Sequence, residues 1–176
     1  SVKTLENDAF YGCTGLSSAT IGNGVTAIGS NAFYGCTNLA NVTIGNSVTS
    51  IGSGAFYQCA GLLNVAIGSS VTTIGNSAFY GCAKLSEIAI PDSVLTIGDN
   101  VFYECASLAN VTVGNAVKRI GSGAFYKCAK LSGILIPNSV LTLGDNAFYE
   151  CTSLVNVTIG NGVTSIGSGA FYQCTG

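Results

Sequence analysis

Eight cysteines stand at positions 13, 36, 59, 82, 105, 128, 151 and 174, and the chain contains no histidine. Thiols can pair as disulfides, hold zinc or act as nucleophiles, and each of these needs an arrangement that this spacing does not supply. An even cysteine count invites a disulfide framework. Here, however, every cysteine follows the last by 23 residues, so each thiol would face two identical neighbours with nothing to select a partner. Zinc sites want close Cys or His pairs. Without an imidazole there is no ordinary triad or imidazole base. The carboxylates Asp92, Asp99, Glu104, Asp145 and Glu150 are scattered over turn and corner positions. Asp99 and Asp145 lie two repeats apart, ~10 Å if the repeats stack at strand spacing, which is loose even for an inverting glycosidase pair. The chain is therefore expected to be non-catalytic, with no cofactor and no metal site. Its acids should be solvated surface, and Cys36, Cys59, Cys82, Cys105, Cys128 and Cys151 should be buried free thiols acting as small hydrophobes.

The same period organises the elements that carry these residues. Units begin at residues 1, 24, 47, 70, 93, 116, 139 and 162, and the second reads GVTAIGSNAFYGCTNLANVTIGN. A fixed period of this length marks a solenoid, in which each unit buries its apolar face by stacking on its neighbours. Residues 1–176 then form a single array of about 7.6 repeats, expected to be a piece of something longer. Val25, Ile28, Ala32, Phe33, Cys36, Leu39, Val42 and Ile44 recur with small apolar swaps and supply the inward positions of one rung. Alternation at Leu39-Ala-Asn-Val-Thr-Ile44 predicts a short parallel strand with one buried face. Val25-Thr-Ala-Ile28 is a second extended piece, ended by Gly29 as a residue free to take positive φ. Between them, Ala32, Phe33 and Cys36 match one face of a single helical turn. Stacking puts each core residue against its own copies, so Phe33, Phe56, Phe79, Phe102, Phe125 and Phe148 form a spine, each worth ~1.5–3 kcal/mol.

The recurring LxxIxI followed by GN or P, then SVTxIGxxAFYxC, closely resembles the BspA-like class of leucine-rich repeats. SVTTIGNSAFYGCAKLSEIAIP at 70–91 and SVLTLGDNAFYECTSLVNVTIG at 139–160 carry the likeness, which covers essentially the whole chain. The resemblance implies a right-handed superhelix with a parallel sheet on one face and short extended segments and helical turns on the other. It also implies a surface-exposed or secreted protein associated with adhesion to host proteins or other cells.

Composition narrows the partners. Charged residues are only 8% and the net charge is −2, so no basic stripe exists for a nucleic-acid backbone or an anionic membrane. No run of ~18 apolar residues predicts membrane insertion. A protein, of host or extracellular matrix, or a glycan remains, contacted weakly over many rungs. Three surfaces are candidates. Outward strand positions give a flat Asn/Thr face that includes Asn64 and Asn110, with Glu87 and Leu135 as departures from uniformity. Tyr80, Tyr103, Tyr126 and Tyr149, each following a core Phe, form a stripe on the outer corner, suited to contact at low entropic cost. Lys118-Arg119 is the one basic doublet. Glu104, Lys127 and Glu150 share one register and should align as an alternating-charge ladder. The alternatives are a structural spacer and end-to-end self-association through open rungs.

Overall fold

A computed structural model describes residues 2–176 as a solenoid of parallel strands stacked in a register of 23 residues. Each rung has two extended sides. The Val-x-x-Ile side gives eight two-residue strands, from Thr4–Leu5 through Ala27–Ile28 to Ser165–Ile166, that pair in sequence order as one unbroken parallel sheet. The Asn-Val-Thr-Ile side gives the longer strands, such as Ser18–Ile21, Asn41–Ile44 and Gly133–Ile136. Along these the buried and exposed residues alternate, with Asn41 and Thr43 out and Val42 and Ile44 in.

The longer strands do not form one sheet. Their ladder is cut into three, after Asn64–Ala66 and after Asn110–Thr112. In two other rungs the residue at this register after the strand reaches back to the rung before it, as Gly45 N–H donates to the Ile21 carbonyl at 2.8 Å and Gly160 N–H to that of Ile136 at 2.9 Å. At the two cuts that residue is Pro91 or Pro137, which has no N–H to give.

The corner between the two sides is not the helical turn that the spacing predicts. Among the described residues no helix forms. Instead Asn31 and Gly35 adopt φ of 54° and 67°. N–H groups then alternate: Tyr34 and Cys36 donate within the rung to Asn31 and Phe33, while Asn31, Phe33 and Gly35 donate to the carbonyls of Ser53, Ala55 and Tyr57 in the next rung. A helical turn climbs along its own axis and keeps its N–H groups for itself. Two left-handed residues four apart bend the chain back into the plane of the rung and leave alternate N–H groups for its neighbour. Where the αL residue is Asn or Gly the conformation is tolerated.

Gly29 also differs from expectation. It has no positive φ. A Cβ there would lie 2.6 Å from the Asn7 nitrogen, and one at Gly52 would lie 2.6 Å from Gly29. This glycine lets the backbones of adjacent rungs approach, and no turn conformation requires it.

Among the described residues no polar or charged residue is fully buried, although the Ser139 hydroxyl is covered without a hydrogen-bond partner. Phe33, Phe56, Phe79, Phe102, Phe125 and Phe148 are buried and stack on one another with ring centroids 5.1–5.5 Å apart. All eight cysteines are free, and Cys36 through Cys151 are buried. Their sulfurs are more than apolar filler, since each Sγ–H reaches the Phe carbonyl of the preceding rung. Cys59 donates to Phe33 at 3.0 Å and Cys105 to Phe79 at 3.2 Å.

Candidate functional site

On the longer-strand side the outward side chains are set by the pleat: position Asn41 recurs as Asn64, Glu87 and Asn110, and position Thr43 as Ala66, Ala89 and Thr112. The expected flat face is in fact a trough of about 490 Å³ running across these four rungs. Ala66 and Ala89 replace threonine at the centre and lower the floor, while Asn64 and Glu87 stand beside them as walls. Asn64 Nδ2 donates to Asn41 Oδ1 at 2.8 Å, which holds that amide in a fixed direction. The Pro91 interruption crosses the middle of the trough. Glu87 is exposed and belongs to none of the ion pairs among the described residues. The small floor residues were the overlooked signal, visible in sequence as Ala66 and Ala89 at a register that holds Thr in four other rungs and Leu135 in one. Leu135 lies beyond the trough on the same side, 60% exposed.

The tyrosines occupy the outer corner as a continuous stack. Tyr80, Tyr103, Tyr126 and Tyr149 are half-buried, and successive rings lie 4.4–4.7 Å apart and within 6° of parallel. Stacking occupies the ring faces and leaves edges and hydroxyls to solvent. Partial burial, with the Glu104 charge nearby, pushes the Tyr80 phenol up to about 12. Beside this stack, Lys127 Nζ lies 3.9 Å from Glu104 and 4.0 Å from Glu150, shared between them. These pairs are solvent-exposed and worth ~0–1 kcal/mol each.

The basic doublet divides. Lys118 is exposed on the short-strand side, between Leu95 and Leu141 of the adjoining rungs. Arg119 is engaged: its Nη2 donates to Asp99 Oδ1 at 2.7 Å. Partial burial works to raise the Asp99 carboxyl, but the Arg119 guanidinium and the Ser122 N–H outweigh it and hold that group below its ordinary range. The candidate residues thus fall on three separate surfaces.

Three acids expected to be solvated surface have a structural task. Asp92, Asp99 and Asp145 accept the backbone N–H of Asn115, Ser122 and Ser168 in the next rung, at 2.7–2.8 Å. Asn23, Asn76 and Asn138 do the same in other rungs. The carboxylates are substitutes in two amide ladders, Asp92 at the register of Asn23 and Asn138, and Asp99 and Asp145 at that of Asn76.

The family model described as BspA type leucine rich repeat region matches residues 3–132 and 72–176, in six copies. No curated protein matches the chain. Among solved structures, a leucine-rich repeat protein from Bacteroides ovatus is 33% identical with a TM-score of 0.87, over 94% of this chain and 43% of that one. A leucine rich cell surface protein from Faecalibacterium prausnitzii is 38% identical with a TM-score of 0.80, over 93% and 43%. The leucine rich repeat protein of T. pallidum is 31% identical with a TM-score of 0.70, over 99% and 71%. The chain therefore spans 43% of the length of the first two.

Proposed function

This chain belongs to the BspA-type leucine-rich repeat family, and from that premise we propose that it is a non-catalytic interaction module of a cell-surface or secreted protein, taking a protein partner in the trough between Asn41 and Thr112. The observation that carries this reading is the trough itself: a concave surface on rigid strands, walled by oriented amides, with one unpaired carboxylate at its centre. An amide-lined cleft of this kind suits an extended polar segment, and Glu87 suits a basic side chain on it. The resemblance of the fold to a leucine rich cell surface protein supports the location.

The test is a binding panel of extracellular-matrix proteins and glycans, read with the chain and two variants. Ala66→Tyr fills the trough floor, and Tyr103→Ser with Tyr126→Ser opens the outer corner. Binding lost in Ala66→Tyr and kept in the tyrosine variant supports the trough. The reverse result moves the site to the tyrosine corner, and a chain that binds nothing on the panel leaves the spacer role.

A further inference from the structure

The eight tyrosines form the one feature that the interaction role does not use as a whole. From Tyr11 to Tyr172 every adjacent pair of rings is stacked, with centroids 4.4–5.1 Å apart and interplanar angles of 2–22°. The six inner tyrosines are half-buried, and the two ends of the row, Tyr11 and Tyr172, are 55% and 56% exposed. The composition removes the usual competitors for an oxidant, since the chain has no Trp, no Met and no His. Cysteine is left, and six of its eight copies are buried with their thiol protons held on the Phe carbonyl side. Oxidation of thiols runs through the thiolate and needs access.

We propose that the tyrosine stack is an oxidative modification site, where peroxide and a haem peroxidase join tyrosines of adjacent rungs as dityrosine within one chain. Each of two neighbouring tyrosines gives one electron to the oxidised haem and its phenolic proton to water. The two radicals form a carbon–carbon bond between ring positions ortho to oxygen, and the displaced ring hydrogens return to the oxygens as the rings rearomatise. In sum, two tyrosines and one hydrogen peroxide give one dityrosine and two waters. Centroids 4.4–5.1 Å apart bring the ortho carbons of adjacent rings near each other, and coupling requires the two rings to swing from face to face toward edge to edge, because the new bond lies in both ring planes once the rings rearomatise. The product ties rung to rung covalently along a corner otherwise held by hydrogen bonds.

The experiment treats the chain with hydrogen peroxide and a haem peroxidase, after alkylation of the exposed Cys13. It compares two variants with equal numbers of tyrosines. One replaces Tyr34, Tyr80, Tyr126 and Tyr172 with Phe, so that no two remaining tyrosines are neighbours. The other replaces Tyr103, Tyr126, Tyr149 and Tyr172 with Phe and leaves four contiguous. Phe keeps the stack filled in both. Dityrosine fluorescence in the monomer fraction should be at least about tenfold lower in the alternating variant than in the contiguous one, because proximity decides the coupling. Peptide mapping of the unmodified sequence should join residues 23 apart, such as Tyr57 to Tyr80. Equal yields in the two variants, or cross-links found only between chains through Tyr11 and Tyr172, would overturn the proposal, and the mapping decides it even if one variant does not fold.

Discussion

A buried thiol here is both a core atom and a donor, and its proton is held tightly. Burial pushes Cys59 and Cys151 from an ordinary 9.0 up to about 12, with neighbouring cysteines adding to the effect. Between pH 9 and 12 the unfolded chain gives up these protons while the folded chain keeps them, so stability falls as pH rises through that window. The slope is ~1.4 kcal/mol per pH unit for each such thiol. Urea midpoints should therefore drop steeply between pH 8 and 10.5, and Cys59→Ala with Cys151→Ala should flatten the dependence while lowering stability at pH 8. Thiol reagents at neutral pH should label Cys13 and leave Cys59 and Cys82 untouched until the chain is unfolded. That these cysteines lie inside is legible from their spacing beside Phe and Leu. That each sulfur has an acceptor is not, because the Phe33 carbonyl that meets Cys59 lies 26 residues away and points at it only once the rungs stack. The acids follow the same logic. Asp99 reads as surface until the Ser122 N–H of the next rung is found on it.

The corner is the element where local pattern and structure part. Gln58, Glu104, Lys127, Glu150 and Gln173 hold φ near 55–58° at a register where Gly35 and Gly81 sit in other rungs. A left-handed L-residue costs ~1–2 kcal/mol, and two exposed ion pairs at 3.9 and 4.0 Å return little of it. Glu104→Gly should thus stabilise the chain by ~0.5–1 kcal/mol, after the extra entropy of the unfolded glycine is subtracted. Gly121→Ala should do the opposite, since its Cβ would run into the Gly98 carbonyl of the rung before. A loss of ~3 kcal/mol is expected there from forced overpacking. Chemical denaturation of the two variants checks both signs. Spacing alone could not separate a helical turn from this flat double turn, because both place Ala32, Phe33 and Cys36 on one side. The strand interruptions were legible in principle, as Pro91 and Pro137 stand where every other rung has a residue able to donate.

At the scale of the molecule, the 23-residue period was enough to read the solenoid, its two extended sides and its Phe and Cys spines, because translation repeats every contact. The trough was legible only in part, since Ala66 and Ala89 stand out in the sequence while their depth depends on neighbours that the pleat aligns. Translation also makes the two sides of a rung different. Cysteine thiols and threonine hydroxyls reach back to the preceding rung, as Thr49 does to Thr26, whereas corner N–H groups such as that of Phe33 reach forward. The stacking has a mechanical consequence as well. Tension along the solenoid axis runs parallel to the hydrogen bonds between rungs, so the load falls on one rung interface at a time and the stack opens like a zip. Each opened rung frees 23 residues, a contour of ~76–83 Å at 3.3–3.6 Å per residue. A single molecule held at its two ends should lengthen in even steps of that size at low force, where a shear-loaded sheet would rupture once. A protein that yields in this way acts as an extensible tether, and every covalent bond formed between neighbouring tyrosines would remove one step from its reach.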